Sequence, residues 1–262
     1  LLTVLDLSNN IALKELRFDN HYSGLVETLD LSKNIALEIL SCSGSRLKKL
    51  DVSQNTLLTD LYCDGNSLLN LDLSQSTLLT NLDCSGNNLK NLDLSQSTLL
   101  TNLDCSGNNL KKLDLSQNTA LTSLQCKCNS MESLNVREHN SLTYLVCDNN
   151  KLKKLDVSQN TLLTHLGCGE NKLKKLDVSQ NAVLTQLDCG NNKLTNIDVS
   201  QNTLLNHLDC GNNKLTRLHL DKCILLTRLF CRDNKLTSLD LRNNKAIMYP
   251  SFERNNFDKP IR

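Results

Sequence analysis

A solenoid of short stacked units, each giving one strand to a parallel β-sheet, is the architecture the sequence predicts. Three observations predict it. Cys42, Cys63, Cys84, Cys105, Cys126, Cys147, Cys168, Cys189, Cys210 and Cys231 recur at an unvarying interval of 21 residues. Each sits in the same phrase, LTNLDCSGNNL at 100–110 and LTQLDCGNNKL at 184–194. Within that phrase the apolar positions alternate with polar ones, the period-2 signature of a strand with one buried face.

Counting from the residue five before each cysteine, the unit reads Leu at 1 and 4, Cys at 6, Asn at 9, Leu at 11, Leu or Ile at 14, Leu or Val at 16, and usually Ser-Gln-Asn at 17 to 19, which read as turn formers. This period and pattern are those of a leucine-rich repeat, which folds by stacking and not by enlarging one core. Positions 3, 5 and 7 look outward from the strand. Position 9 is Asn at 66, 87, 108, 129, 150, 171, 192, 213 and 234, where the chain turns and an amide both donates and accepts to backbone. About ten residues then return the chain to the next strand, too few for a crossover helix. Short extended or 3₁₀ segments are expected there. The sheet side is concave, and the stack counts about twelve units.

The ends differ from the middle. Residues 1–36 hold a partial repeat and an irregular one, with Phe18 in the cysteine's place and three extra residues around His21, Tyr22, Ser23 and Gly24. Residues 37–246 are regular, and units 79–99 and 100–120 are almost identical, which suggests duplication. Residues 247–262 keep the frame with Pro250 at 4, Phe252 at the ladder position and Phe257 at 11, a cap for an open edge. The chain opens in mid-repeat at Leu1-Leu2-Thr3, which reads as a piece of a longer protein.

Net charge is +1 with the signs interspersed, so no basic surface points to nucleic acid or an anionic membrane. No apolar run is long enough to span a bilayer. Cysteines stacked in register on parallel strands, about 4.8 Å apart, point the same way, whereas a disulfide needs converging Cβ vectors. They read as buried thiols acting as small hydrophobes.

Other motifs read structurally. Cys126 and Cys128 form C-x-C without a third and fourth ligand, which argues against zinc. Cys223 reads as an inert substitution in a turn. Asp51, Asp72, Asp93, Asp114, Asp156, Asp177, Asp198 and Asp240 at position 15 could hold calcium; satisfying turn backbone is the favoured role. Lys151, Lys172, Lys193, Lys214 and Lys235 at position 10 solvate a flank, with attraction for acidic partners or glycans as the weaker reading. No metal and no cofactor is expected.

The unit L-x-x-L-x-C-x-x-N-x-L-x-x-L-D-L/V-S-x-N-x-x resembles the cysteine-containing 21-residue repeats of bacterial surface proteins of the internalin J type, and is similar to repeats of secreted Bacteroidetes proteins. The likeness covers Leu37 to Ala246 strongly. It implies a secreted or cell-surface binding module with no catalytic residues to carry over.

Function can then lie in the outward columns. From Tyr144 to Tyr249 they mix aromatics, histidines, arginines and aspartates beside glycines that would let a partner approach the backbone. The candidate ligand-binding residues are Tyr144, His165, Gln186, Asp188, His207, Asp209, Arg228, Phe230, Arg232 and Tyr249. Aromatics and Arg dominate interface hot spots. His165 and His207 lie two repeats apart, about 10 Å, too far to share a metal. The expected function is recognition of a protein ligand by a non-enzymatic monomer. A glycan-binding adhesin and a spacer without a ligand are the alternatives.

Overall fold

The computed structural model describes residues 5–18, 26–258 and 261. The extra residues around His21–Gly24 and the opening Leu1-Leu2-Thr3 lie outside the described residues. The chain divides into two units, Leu1–Met131 and Glu132–Arg262.

The first unit holds six three-residue strands, β1 (Glu15–Arg17), β2 (Ile39–Ser41), β3 (Asp60–Tyr62), β4 (Asn81–Asp83), β5 (Asn102–Asp104) and β6 (Ser123–Gln125). They pair in parallel and in chain order, with Leu40, Leu61, Leu82 and Leu103 opposite one another. The second holds β7 (Tyr144–Val146), β8 (His165–Gly167), β9 (Gln186–Asp188), β10 (His207–Asp209), β11 (Arg228–Phe230) and β12 (Tyr249–Ser251). Here Leu145, Leu166, Leu187, Leu208 and Leu229 form the buried inward row, and Pro250, in register at its end, is exposed.

Each unit is thus a leucine-rich-repeat solenoid without a helix among the described residues. The expected 3₁₀ character appears as two isolated turns per repeat: Asn55 N donates to Val52 O at 3.0 Å and Leu58 N to Asn55 O at 3.1 Å, and later repeats do the same. The ladder cysteines are fully buried, as are the leucines at positions 1, 4 and 11 of their repeats. None of the cysteines forms a disulfide. Burial pushes the Cys231 thiol up to about 12, and raises Cys84, Cys105 and Cys168 by the same cause.

Two side-chain ladders hold successive coils together. At position 9, Asn66 Nδ2 donates to Cys63 O of its own repeat and Cys42 O of the preceding one, both at 3.0 Å, while Oδ1 accepts from Leu47 N at 2.8 Å. Asn87, Asn108, Asn171, Asn192, Asn213 and Asn234 repeat both donations. The second ladder, at position 19, corrects the reading of Ser-Gln-Asn as plain turn residues. Asn55, Asn118, Asn160, Asn181, Asn202 and Asn244 are buried. Asn181 Nδ2 donates to Val157 O and Asn160 O at 3.1 and 2.8 Å, and Asn202 to Val178 O and Asn181 O.

This second position needs only a donor aimed at two carbonyls, and the Oδ1 atoms of Asn55, Asn160, Asn181, Asn202 and Asn244 have no partner among the described residues. Ser97 fills it with a hydroxyl donating to Ser76 O at 3.1 Å. Cys223 fills it with a thiol 3.6 Å from Val199 O and 3.8 Å from Asn202 O. Cys223 is therefore a buried rung of the ladder and not an inert turn residue. His139 also takes this place and is buried, yet neither ring nitrogen has a partner among the described residues.

Position 8 is left-handed throughout: glycine at 44, 65, 86 and 107, then Cys128, Asn149, Glu170, Asn191, Asn212 and Asp233 at φ 51 to 55°. Cys128 thus occupies a turn position where glycine and asparagine are the usual choices.

At pH 8, a thiol reagent is expected to label the exposed Cys128 quickly and the buried cysteines only on unfolding; rapid labelling of most of the ladder would contradict the packing. Cys105→Ser should lower stability by about 1–3 kcal/mol through a buried hydroxyl, measured by urea unfolding. His139→Asn should stabilise by about 1–3 kcal/mol, since it replaces two unpartnered ring atoms with the amide of the other repeats; an unchanged melting temperature would count against this account.

Candidate functional site

The outward residues of β7–β12 form columns fixed by strand register. Tyr144, His165, Gln186, His207, Arg228 and Tyr249 stand in one continuous row, each opposite the next. Along it the structure brings two groups together. The Tyr144 and His165 rings stack at 4.5 Å with planes 16° apart, and His165 Nδ1 lies 3.0 Å from Gln186 Oε1. His207 meets Phe230 of the adjoining column, centroids 5.6 Å apart. Tyr249 stands 61% exposed at the far end. Arg232 is exposed and reaches Asp233 at 3.8 Å, a surface pair of small energetic weight. Tyr144 and Tyr249 are five strand spacings apart, about 24 Å, so the residues make a strip and not one pocket.

The glycines beside this row do something other than expose backbone. Asp148 Oδ1 accepts from Gly169 N at 2.7 Å, Asp188 Oδ1 from Gly190 N at 3.1 Å and Asp209 Oδ1 from Gly211 N at 2.9 Å. A Cβ built on Gly190 would lie 2.9 Å from Asp209 Oδ1, and one on Gly167 2.6 Å from Asp148 Oδ2. The space left by the missing side chains is taken up by carboxylates, which corrects the expectation of open backbone. Asp148 joins the candidate residues; its signal in the sequence is an outward Asp one repeat before a Gly-Cys-Gly sequence at 167–169. Val146 and Gly167, though in an outward column, are buried.

Burial controls the charge of the strip. It pushes the Asp188 carboxyl from 3.8 up to about 6, with Asp209 and Asp148 adding repulsion and the Gly190 N–H opposing. It holds His165 below its ordinary value against the Gln186 hydrogen bond, and His207 likewise against Asp209 and Asp188. At neutral pH the two imidazoles are neutral and present aromatic faces. Elsewhere, the position-15 carboxylates bind backbone, as where Asp177 Oδ1 accepts from Ser179 N at 2.9 Å. Hydrogen bonds from Ser179 hold that carboxyl below its ordinary value. No group of three or more metal-ligating side chains occurs among the described residues.

Stacked parallel strands, a buried leucine row and an asparagine at nearly every strand-end turn define the class: the chain is a leucine-rich-repeat protein. Within that class it is of the cysteine-ladder type. It is similar to the functional domain of InlJ from Listeria monocytogenes, which includes a cysteine ladder, at 32% identity and a TM-score of 0.73 over 97% of this chain. The chain spans 66% of that domain, slightly under two thirds of its length. A leucine-rich-repeat protein of Leptospira interrogans matches at 25% identity and TM-score 0.84, covering 95% of this chain and 69% of the other. YopM, a leucine-rich effector protein from Yersinia pestis, matches at 26% and 0.74, covering 95% and 71%. No family model and no curated protein matches the chain.

A folded-state pKa above the unfolded one means that the fold holds the proton more tightly. Asp188 therefore costs stability above about pH 6, and the cost fades as pH falls towards 4. Asp188→Asn, which keeps an acceptor for Gly190 N, should raise the melting temperature at pH 7.5 and leave it nearly unchanged at pH 4. Equal gains at both values would show that the carboxylate's charge is not the cause.

Proposed function

We propose that the chain is a non-enzymatic recognition module of a secreted or cell-surface bacterial protein, and that the strip on β7–β12 binds a protein ligand. The observation that carries this reading is the pair of ring contacts, Tyr144 on His165 and His207 on Phe230, on the outward face of the sheet. Rings already packed against one another lose little conformational freedom on binding, and aromatics with Arg228 and Arg232 beside them are the residue types of interface hot spots. The likeness to the InlJ domain and to YopM supports a bacterial protein that acts outside the cell or is exported from it. No helix among the described residues is long and apolar enough to cross a membrane.

A second reading has its own support. On the outward face of the first unit, Tyr62, Asn81, Asp83, Asn102, Asp104 and Gln125 line a cleft of about 180 Å³. Amides and carboxylates at strand spacing beside one tyrosine suit the hydroxyls of a neutral glycan better than an apolar protein surface.

A ligand identified by affinity capture would be titrated against the intact chain and against Tyr144→Ala, His207→Ala and Phe230→Ala combined. The expected outcome is an affinity loss of tenfold or more with an unchanged melting temperature. Unchanged affinity in the triple variant, joined to loss on Asn81→Ala and Asn102→Ala, would transfer the site to the first unit.

A further inference from the structure

We infer that the flank of the second unit, away from the strand face, binds a sulfated or otherwise polyanionic polysaccharide. Position 10 carries Lys151, Lys172, Lys193, Lys214 and Lys235 in five consecutive repeats, and all five are exposed. The regular repeats of the first unit have Arg46, Ser67, Asn88, Asn109 and Ser130 there, a single cation. Near-zero net charge conceals this because the two signs are separated by position in the repeat, not along the chain.

The lysines stand on a built support. Lys172 N donates to Leu152 O, Lys193 N to Leu173 O, Lys214 N to Leu194 O and Lys235 N to Leu215 O, at 2.8 to 2.9 Å. Position 10 is thereby a second backbone ladder beside the sheet, and its side chains leave at a fixed interval of about 4.8 Å. Two residues on, across the buried position 11, Lys153 and Lys174 extend the row, and hydroxyls follow at Thr195, Thr216 and Thr237. Lys153, Lys154, Lys174 and Lys175 border a cleft of about 580 Å³ that also includes Asp156 and Asp177.

The acids nearby do not neutralise the stripe. Glu132 pairs with Lys153 at 2.9 Å, and its carboxyl is held low by that lysine first, then by Lys172 and Lys151. Asp156 and Asp177 accept from the backbone of Ser158 and Ser179. Glu170 and, at the end of the row beside Thr237, Asp258 are further exposed acids. Among the described residues, Lys151, Lys172, Lys193, Lys214 and Lys235 make no ion pair.

A straight row of point charges at constant spacing complements a linear polyanion. One sugar residue is about as long as one rung, so anionic groups on successive sugars meet successive lysines while the threonine hydroxyls face ring hydroxyls. Single-stranded nucleic acid is the poorer fit, because positions 10 and 12 of these repeats offer no aromatic platform for bases.

The test measures binding of a fluorescent heparin oligosaccharide to the intact chain across a salt series. Neutral dextran and DNA of matched charge serve as the comparison ligands. Lys151→Ser, Lys172→Asn, Lys193→Asn and Lys214→Asn are combined in one variant that borrows residues the first unit already folds with. We expect saturable heparin binding that weakens with salt, at least tenfold loss in this variant at unchanged melting temperature, and none in the Tyr144, His207 and Phe230 variant. Wild-type-like binding by the lysine variant, equal or tighter binding of DNA, or no heparin binding would each overturn the inference.

Discussion

A coil of 21 residues has no room for a helix, so the backbone groups that leave its one short strand must be satisfied by side chains. Everything else in the structure depends on how that is done. The position-9 asparagines bond their own strand end and the preceding one, and the position-19 asparagines bond two carbonyls of the preceding repeat. An unpaired buried backbone group would cost about 1–3 kcal/mol in each repeat. With these two devices in place, the core is left to leucine and a column of thiols. The thiol suits its place because it is small, tolerates full burial and makes no hydrogen-bonding demand that the thin coil cannot meet.

Because the inner positions are committed, variation is confined to outward columns and flanks. The second unit uses this freedom twice. Its strand face gathers rings and the burial-tuned Asp188 carboxyl, and its flank gathers ammonium groups on a separate backbone ladder. The two surfaces differ in chemistry: neutral imidazoles with aromatic edges on one, point charges in a row on the other.

Much of this was legible in the sequence. A cysteine every 21 residues fixed the frame, and the frame gave strand positions, inward rows and the first asparagine ladder. Position 19 was misread because Ser-Gln-Asn is also what a solvent-exposed turn looks like; only burial distinguishes Asn181 from the exposed Gln180 beside it. The substitutions at that position, Ser97, Cys223 and His139, carried a hint, since an ordinary turn has little reason to accept a cysteine. Gly167, Gly169, Gly190 and Gly211 were misread for a related reason. A glycine declares that no side chain is present, but not whether a neighbouring repeat will fill the space, and here Asp148, Asp188 and Asp209 do. The candidate strip was found by column, yet the contacts within it depend on rotamers that periodicity does not specify.

The asparagine rungs have a consequence for how such a chain changes its length. Every rung bonds only within its own repeat or to the repeat next to it, so removing or copying a whole unit leaves each surviving rung with an equivalent partner. A recombination event in frame therefore creates no unsatisfied group and asks for no compensating substitution. Units 79–99 and 100–120, which differ at only a few positions, have the form such an event would leave. Reach becomes a heritable quantity that selection can adjust in steps of one coil, independently of the surface that the array presents.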